Sequence, residues 1–402
     1  MPRTVDEHLA EILSVVQPLA PLELGLLDAH GCVLAEDVVA LAPVPAHSVA
    51  AWDGYAVRSV DVVGAPVVLP VVGDVIAGTA SPLTVQPGLC VRITAGALMP
   101  QGADAVVPTG RTDGGLAQVR IDQAAVAGSG VRAAGSDVPA GETVLATGVH
   151  LGAAQIGVAA GVGRARLVVR PRPRVVVIST GGELVEPGKA VGPGQVFDGN
   201  SLALTAACQE AGAIAYRVGI VRDDGRSLLD SLEDQLVRAD LVLLSAGLSP
   251  GSYDAVREVL SRLGSVAFQD VAMTPGALHG FGVIGPDRTP VFGLPGDAIG
   301  AQVSFEAFVR PALRRMLGVP MIMRPLISAR AGSDITSPMG RRSFVRAWLE
   351  VKDGAYVVTP LATTSVISGL SAANAMAVVP DQVERIAEGA AVQVVMLERR
   401  GQ

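Results

Sequence analysis

Lysine is almost missing. Lys189 and Lys352 are the only two in 402 residues, and every other basic side chain is an arginine. The formal net charge is −7, so no surplus of clustered cations exists to hold a polyanion, and nucleic acid is not an expected partner. Aromatic residues make up only 3%, which forces the cores to be assembled from small aliphatic side chains, while 47 Gly and 27 Pro supply many turns. Cys32, Cys90 and Cys208 are too few and too scattered for a disulfide framework and read as reduced, structural thiols. His8, His30, His47, His150 and His279 never approach the short spacings of a zinc site. No apolar run reaches the roughly 18 to 20 residues that span a bilayer. Asp6, Glu7 and Glu11 interrupt any signal-like segment at the start. A soluble, cytoplasmic protein with no membrane insertion is expected.

What is present falls into blocks. Thr4 and Glu7 have the capping-box spacing, and Val5, Leu9, Ile12, Leu13 and Val16 recur at helical intervals, predicting a helix from about Val5 to Gln17. From Pro43 to about Gly141, short Val-rich runs are broken by Gly, Pro and Asp, as in a small β domain. From Arg174 strands and helices alternate, predicting an α/β layer with a mostly parallel sheet, closed by a strand at Val291 to Leu294 and a helix from about Ala298 to Leu317. After Pro320 the helical period vanishes. Alternation from Ser343 to Val351, then Asp353-Gly354, then Tyr356 to Thr359 signals a hairpin in a C-terminal β-barrel or sandwich. The fold class is therefore multidomain, α/β plus β.

In such sheets ligands bind at the carboxyl ends of the strands. Four loops are predicted there: Ser179-Thr180-Gly181-Gly182-Glu183, Ser245 to Gly251, Thr274-Pro275-Gly276 and Leu294-Pro295-Gly296-Asp297. Their glycines let backbone N–H groups approach an oxyanion and their hydroxyls add donors. None matches the P-loop or the dinucleotide fingerprint, and any one alone reads as an ordinary turn. Asp53, Asp137, Glu183, Asp198, Asp223 and Asp254 lie in or beside loops, where Mg²⁺ can be held by one or two carboxylates plus a substrate phosphate. Turn formation by Asp53 and Asp198 and helix capping by Asp254 are the competing readings.

Taken in order, the segments Trp52-Asp53-Gly54-Tyr55-Ala56-Val57, Gly135-Ser136-Asp137, Ser179-Thr180-Gly181-Gly182-Glu183-Leu184, Gly194-Gln195-Val196-Phe197-Asp198-Gly199-Asn200 and Leu294-Pro295-Gly296 resemble the molybdopterin molybdenumtransferase family, which includes the gephyrin E domain. The resemblance covers nearly the whole chain and points to an actinobacterial, gephyrin-like member. It implies a homodimer of four-domain subunits: an N-terminal helical, lasso-like segment (1–43 with 142–170), a β-rich lid (44–141), an α/β molybdopterin-binding domain (171–320) and a C-terminal β domain (321–402). It also implies insertion of molybdate into adenylylated molybdopterin, with Mg²⁺ and release of AMP. By matching position, Asp53, Asp137, Glu183, Asp223 and Asp254 are the implied catalytic acids, the last three as metal ligands. Ser179, Thr180, Gly181, Asp198, Asn200, Ser245, Gly247, Ser249, Pro275, Gly276, Pro295, Gly296 and Asp297 are the implied cofactor-binding positions.

The departures fall in the same loops. Thr274 and Ala277 stand where the family has lysines, Asp297-Ala298 replaces Asn-Pro, and changes also occur at Ser48-Val49-Ala50, Arg132-Ala133-Ala134 and Thr94-Ala95. Lost cations weaken a site for dianions. A catalytically weak paralogue serving as a dimeric scaffold for a protein partner is therefore the alternative, and an unrelated nucleotide-binding α/β protein a third reading.

Overall fold

The computed structural model describes residues 2–79, 83–222, 224–246, 253–362 and 367–397, without the side chains of 253–255. Contacts divide the chain into two units: Glu23–His30 with Leu34–Val169, and Met1–Leu22, Gly31–Val33 and Arg170–Gln402.

The first unit is built on a five-stranded sheet in the order Ala105–Pro108, Gly54–Val57, Cys90–Ile93, Val67–Val75, Gln118–Ile121. The interior strand Gly54–Val57 is buried at every position, so both faces carry small hydrophobic cores, one around Tyr55 and Val57 and one around Ala56 and Val106. Gly54 is required there: a Cβ would run into the Val107 carbonyl of the paired strand.

In the second unit the helix Val5–Val15 starts on the expected capping box, with Thr4 Oγ1 accepting from Glu7 N–H at 3.2 Å and Glu7 Oε2 accepting from Thr4 N–H at 2.9 Å. It buries Val5, His8 and Ile12 against the α/β layer. That layer is a six-stranded sheet in the order Ile214–Val221, Arg174–Thr180, Leu241–Ala246, Thr289–Leu294, Leu278–Ile284, Gly264–Asp270. The first four strands are mutually parallel, and Leu278–Ile284 runs antiparallel to both of its neighbours, Thr289–Leu294 and Gly264–Asp270. The last two strands went unread in the sequence because Gly280 and Gly282 interrupt any alternation. Strands Arg174–Thr180 and Leu241–Ala246 are buried over almost their whole length, as parallel strands covered on both faces must be. The helix expected from Ala298 to Leu317 is present but widens to a π turn over Phe305–Val309, just before Pro311, which has no N–H to give to the preceding turn.

The C-terminal strands close on themselves. Arg342–Lys352 pairs with Ala355–Pro360, then Leu326–Ala331, Ala391–Met396 and Ala375–Val379 follow, and the last pairs back with Arg342–Lys352, making a five-stranded barrel. The hairpin turns at Asp353 (φ 51°) and Gly354 (φ 75°), the left-handed pair a two-residue turn needs. All three cysteines are buried and none is in a disulfide, and burial pushes the Cys90 thiol up to about 12, as expected of structural thiols. Among the described residues no helix is long and apolar enough to cross a membrane.

Candidate active site

The sheet register creates the site. Ser179 is level with Ser245 and Ser245 with Leu294, so three strands end side by side at their carboxyl ends. A cavity of about 440 Å³ opens there. Ser179, Thr180, Ser245 and Asn200 line it, together with Glu183, Asp198, Gly296 and Asp297. Asn200 binds two of the loops together, its Nδ2 donating to Ser245 Oγ at 3.1 Å and to the Gly296 carbonyl at 2.7 Å.

Behind this wall lies a charge cluster that sequence reasoning did not find. Asp198 is 1% exposed. Its Oδ1 accepts from Ser179 Oγ at 3.1 Å and Ser201 N–H at 3.0 Å, and its Oδ2 from Ser201 Oγ at 2.5 Å and an Arg217 Nη2–H at 3.0 Å. Arg217 also contacts Ser201 Oγ and reaches Glu186 at 2.8 Å. Burial pushes the Asp198 carboxyl up, but the hydrogen bonds from Ser201, Arg217 and Ser179 outweigh it and hold the group below its ordinary value. Asp198 is therefore a buried anchor whose two oxygens are already engaged, although its residue borders the cavity. The signal for Arg217 was available: a charged side chain midway along a strand of an α/β core is rarely buried without a partner.

Asp297 is engaged too. It is the N-cap of Ala298–Ser304, its Oδ1 accepting from Gly300 N–H at 2.6 Å. Asparagine caps as well as aspartate, so Asp297→Asn should leave stability within a few tenths of a kcal/mol, whereas Asp297→Ala should cost about 1 kcal/mol. Urea titration of both variants checks this; equal losses would disprove the capping role.

The loop at 274–277 is placed elsewhere. Thr274 pairs in register with Ser343 of the barrel strand, and Pro275 and Gly276 are not among the walls of the cavity, nor are Gly181 and Pro295. Gly276 has its own reason to be glycine: φ is +74° and a Cβ would meet Ser304 Oγ at 2.9 Å. Its carbonyl accepts from His279 Nε2–H at 2.6 Å. His279 lies against His8, with ring centroids 5.5 Å apart, and both stand edge-on to Phe308. The sequence separates these imidazoles by most of the chain and gave no hint of the pair.

Asp53 and Asp137 belong to the other unit. Both are exposed; Asp53 Oδ1 accepts from Ala95 N–H at 2.8 Å, and Asp137 N–H donates to the Val44 carbonyl at 3.0 Å. Asp223, Gly247 and Ser249 lie outside the described residues, and of Asp254 only the backbone, in the helix Tyr253–Leu263, is described. Of the three expected metal carboxylates, only the Glu183 side chain is described, exposed at the cavity wall. No cluster of three or more candidate metal ligands occurs among the described residues.

Residues 3–163 match the family described as MoeA N-terminal region (domain I and II), 176–315 the probable molybdopterin binding domain, and 328–397 the MoeA C-terminal region (domain IV). Molybdopterin molybdenumtransferase 1 of Mycobacterium tuberculosis is 40% identical, with 99% of this chain and 100% of the relative aligned. Molybdopterin molybdenumtransferase 2 of the same organism is also 40% identical, over 98% and 99%. A crystal structure of the molybdopterin biosynthesis MoeA protein from Pyrococcus horikoshii superposes with a TM-score of 0.83 at 31% identity, covering 100% of both chains. With every domain matched in order and the relatives aligned from end to end, the chain belongs to the molybdopterin molybdenumtransferase family.

Proposed function

We propose that this chain is an enzyme of molybdenum cofactor biosynthesis that inserts molybdate into adenylylated molybdopterin with release of AMP. The hydroxyl-lined cavity at the ends of the parallel strands, in a chain of this family, carries the reading. Both mycobacterial relatives bear the transferase name, which favours the enzyme over the scaffold.

Three carboxylates and no Lys or Arg stand among the described residues lining the cavity. An anionic substrate bound there needs a cation brought with it. Mg²⁺ suits this donor set: it takes one or two carboxylates, keeps waters and binds substrate phosphates. Glu183 is the described candidate ligand, because Asp198 and Asp297 are engaged elsewhere, and Asp223 and Asp254 are the proposed companions. The ion would supply charge compensation for the phosphate. Ser245 donates to the substrate with Thr180 beside it, while Ser179 and Asn200, whose protons go to Asp198, Ser245 Oγ and the Gly296 carbonyl, hold that wall in position. Asp53 and Asp137 keep the catalytic roles that the family resemblance implies for their positions, and the chain acts as a cytoplasmic homodimer.

The test supplies the purified chain with adenylylated molybdopterin, molybdate and Mg²⁺, and follows AMP release together with activation of an apo-molybdoenzyme. The parent should turn over, and Glu183→Ala should lose roughly a hundredfold in kcat/KM while its circular dichroism stays unchanged, because the side chain is exposed. Absence of AMP release by the parent would sink the functional reading. Full turnover by Glu183→Ala would remove only the role given to that carboxylate.

A further inference from the structure

Phe197 is the one phenylalanine of the seven that the fold leaves exposed; Phe268 and Phe344 are half-buried and the other four are buried. It is 52% exposed, in a chain with very few aromatic side chains to spare. Its position is nevertheless rigid. The short strand Val196–Phe197 is pinned on either side by Val196 N–H donating to the Glu183 carbonyl at 2.9 Å and Asp198 N–H donating to the Val185 carbonyl at 3.0 Å. The next residue, Asp198, is locked by Ser179, Ser201 and Arg217. An exposed apolar ring is thus mounted on a backbone tied by a hydrogen bond on either side.

Its surroundings indicate what it is for. Leu184, Val196, Phe197, Ile367 and Leu370 supply apolar lining to the same cavity of about 440 Å³ that Ser179, Thr180 and Ser245 also line. Val196 and Ile367 are 52% and 79% exposed and Leu184 and Leu370 only half-buried, so the chain itself leaves much of this apolar lining uncovered. Apolar lining that includes an exposed aromatic ring, in a cavity that hydroxyl residues also line, fits a planar group with a polar edge. Aromatic side chains take up such groups through their π-faces, and nitrogen heterocycles stack well on them.

We infer that Phe197 is a specificity-determining residue of this site, stacking on a fused-ring nitrogen heterocycle of the substrate while the hydroxyl wall holds the substrate's polar groups. This rests on the proposed function, whose substrate carries two such rings, a pterin and an adenine. The ring is taken up in binding and touches no reacting bond, so Phe197 should act on KM rather than on kcat.

The test compares Phe197→Leu, which keeps apolar volume without a π-face, with Phe197→Tyr, which keeps the ring. For adenylylated molybdopterin, Phe197→Leu should raise KM roughly tenfold, equivalent to about 1.4 kcal/mol, and change kcat less than twofold. Phe197→Tyr should match the parent. Direct titration with AMP alone and with a soluble pterin alone then assigns the ring: the probe whose affinity falls roughly tenfold in Phe197→Leu, with loss of stacking-induced pterin fluorescence quenching if it is the pterin, occupies the wall. If Phe197→Leu equals Phe197→Tyr in KM and in both titrations, the inference is overturned. The same holds if Phe197→Leu changes only the dimer dissociation constant in sedimentation, which would make the wall a subunit contact. A parent that releases no AMP but binds a ring through Phe197 would sink the activity and leave the ring site standing.

Discussion

Asp198→Ala should destabilise the protein by about 3 to 5 kcal/mol, because it leaves the Arg217 guanidinium without its buried partner. The carboxylate is 1% exposed and holds four donors: Ser179 Oγ, Ser201 Oγ, the Ser201 N–H and Arg217. Arg217 would keep Glu186, which is 31% exposed and a weaker anchor, while two hydroxyls and a backbone N–H would lose their acceptor. Breaking one side of a buried pair costs more than the pair contributes, so adding Arg217→Met should restore part of the loss. Urea unfolding of the parent, both single variants and the double variant measures the coupling. A loss below about 1 kcal/mol for Asp198→Ala, the range of an exposed pair, would show that the cluster is not the anchor claimed here. The consequence for function follows from position: Asp198 sits between Phe197 and Asn200, so the ring wall and the amide bridge both depend on it.

Mild acid should weaken the fold steeply through His8 and His279. Burial depresses His8 to about 3, with further lowering by His279 and Arg3, and burial depresses His279 to about 4, against a smaller opposing effect of the Gly276 carbonyl. Both start from 6.5. The folded pKa values lie below the unfolded ones, so between pH 6.5 and about 4 the unfolded chain binds protons that the folded chain refuses. Stability is present above 6.5 and falls as the pH drops. Two protons give a slope approaching 2.7 kcal/mol per pH unit, about 1.4 for each. Glu11, 3.8 Å from His8 Nδ1, is too exposed to compensate, and that nitrogen has no hydrogen-bond partner. Carboxylates held low, such as Asp6 and Asp198, act in the same direction but below their ordinary range near 4, so the window from pH 6.5 to 5 isolates the imidazoles. Urea midpoints across that window should fall, and His8→Phe should roughly halve the slope. A flat profile would mean that neither ring is held neutral by the fold.

Much of the architecture was legible because it repeats local chemistry. Thr4 and Glu7 marked the first helix, Asp353-Gly354 marked the barrel hairpin, and the apolar runs before Ser179 and Ser245 marked parallel strands whose ends carry the site. Segments matching the family stood in order along the chain, which made the membership readable from residues alone. The antiparallel pair Gly264–Asp270 and Leu278–Ile284 was not legible, since its pairing is satisfied by backbone groups that any residue supplies.

Within the site, the residue types were determined by sequence and their roles by the fold. Ser179, Thr180 and Ser245 were identifiable from sequence as hydroxyl residues at the ends of apolar strands, and Asn200 from its place in a family segment; that Ser179 bonds Asp198 and Asn200 ties Ser245 to Gly296 is a product of the fold. Whether Asp198 and Asp297 faced a ligand or the protein was decided only in three dimensions: one became an anchor for Arg217 and the other a helix cap. Gly276, read as part of an oxyanion loop, also stands where a Cβ would meet Ser304 Oγ, a need for glycine that only the fold shows. The His8–His279 contact and the exposed ring of Phe197 likewise have no local signature. A carboxylate's partner, a ring's exposure and a glycine's clearance depend on which distant segment arrives beside it, and that is set by packing the helices and strands together rather than by any short stretch of chain.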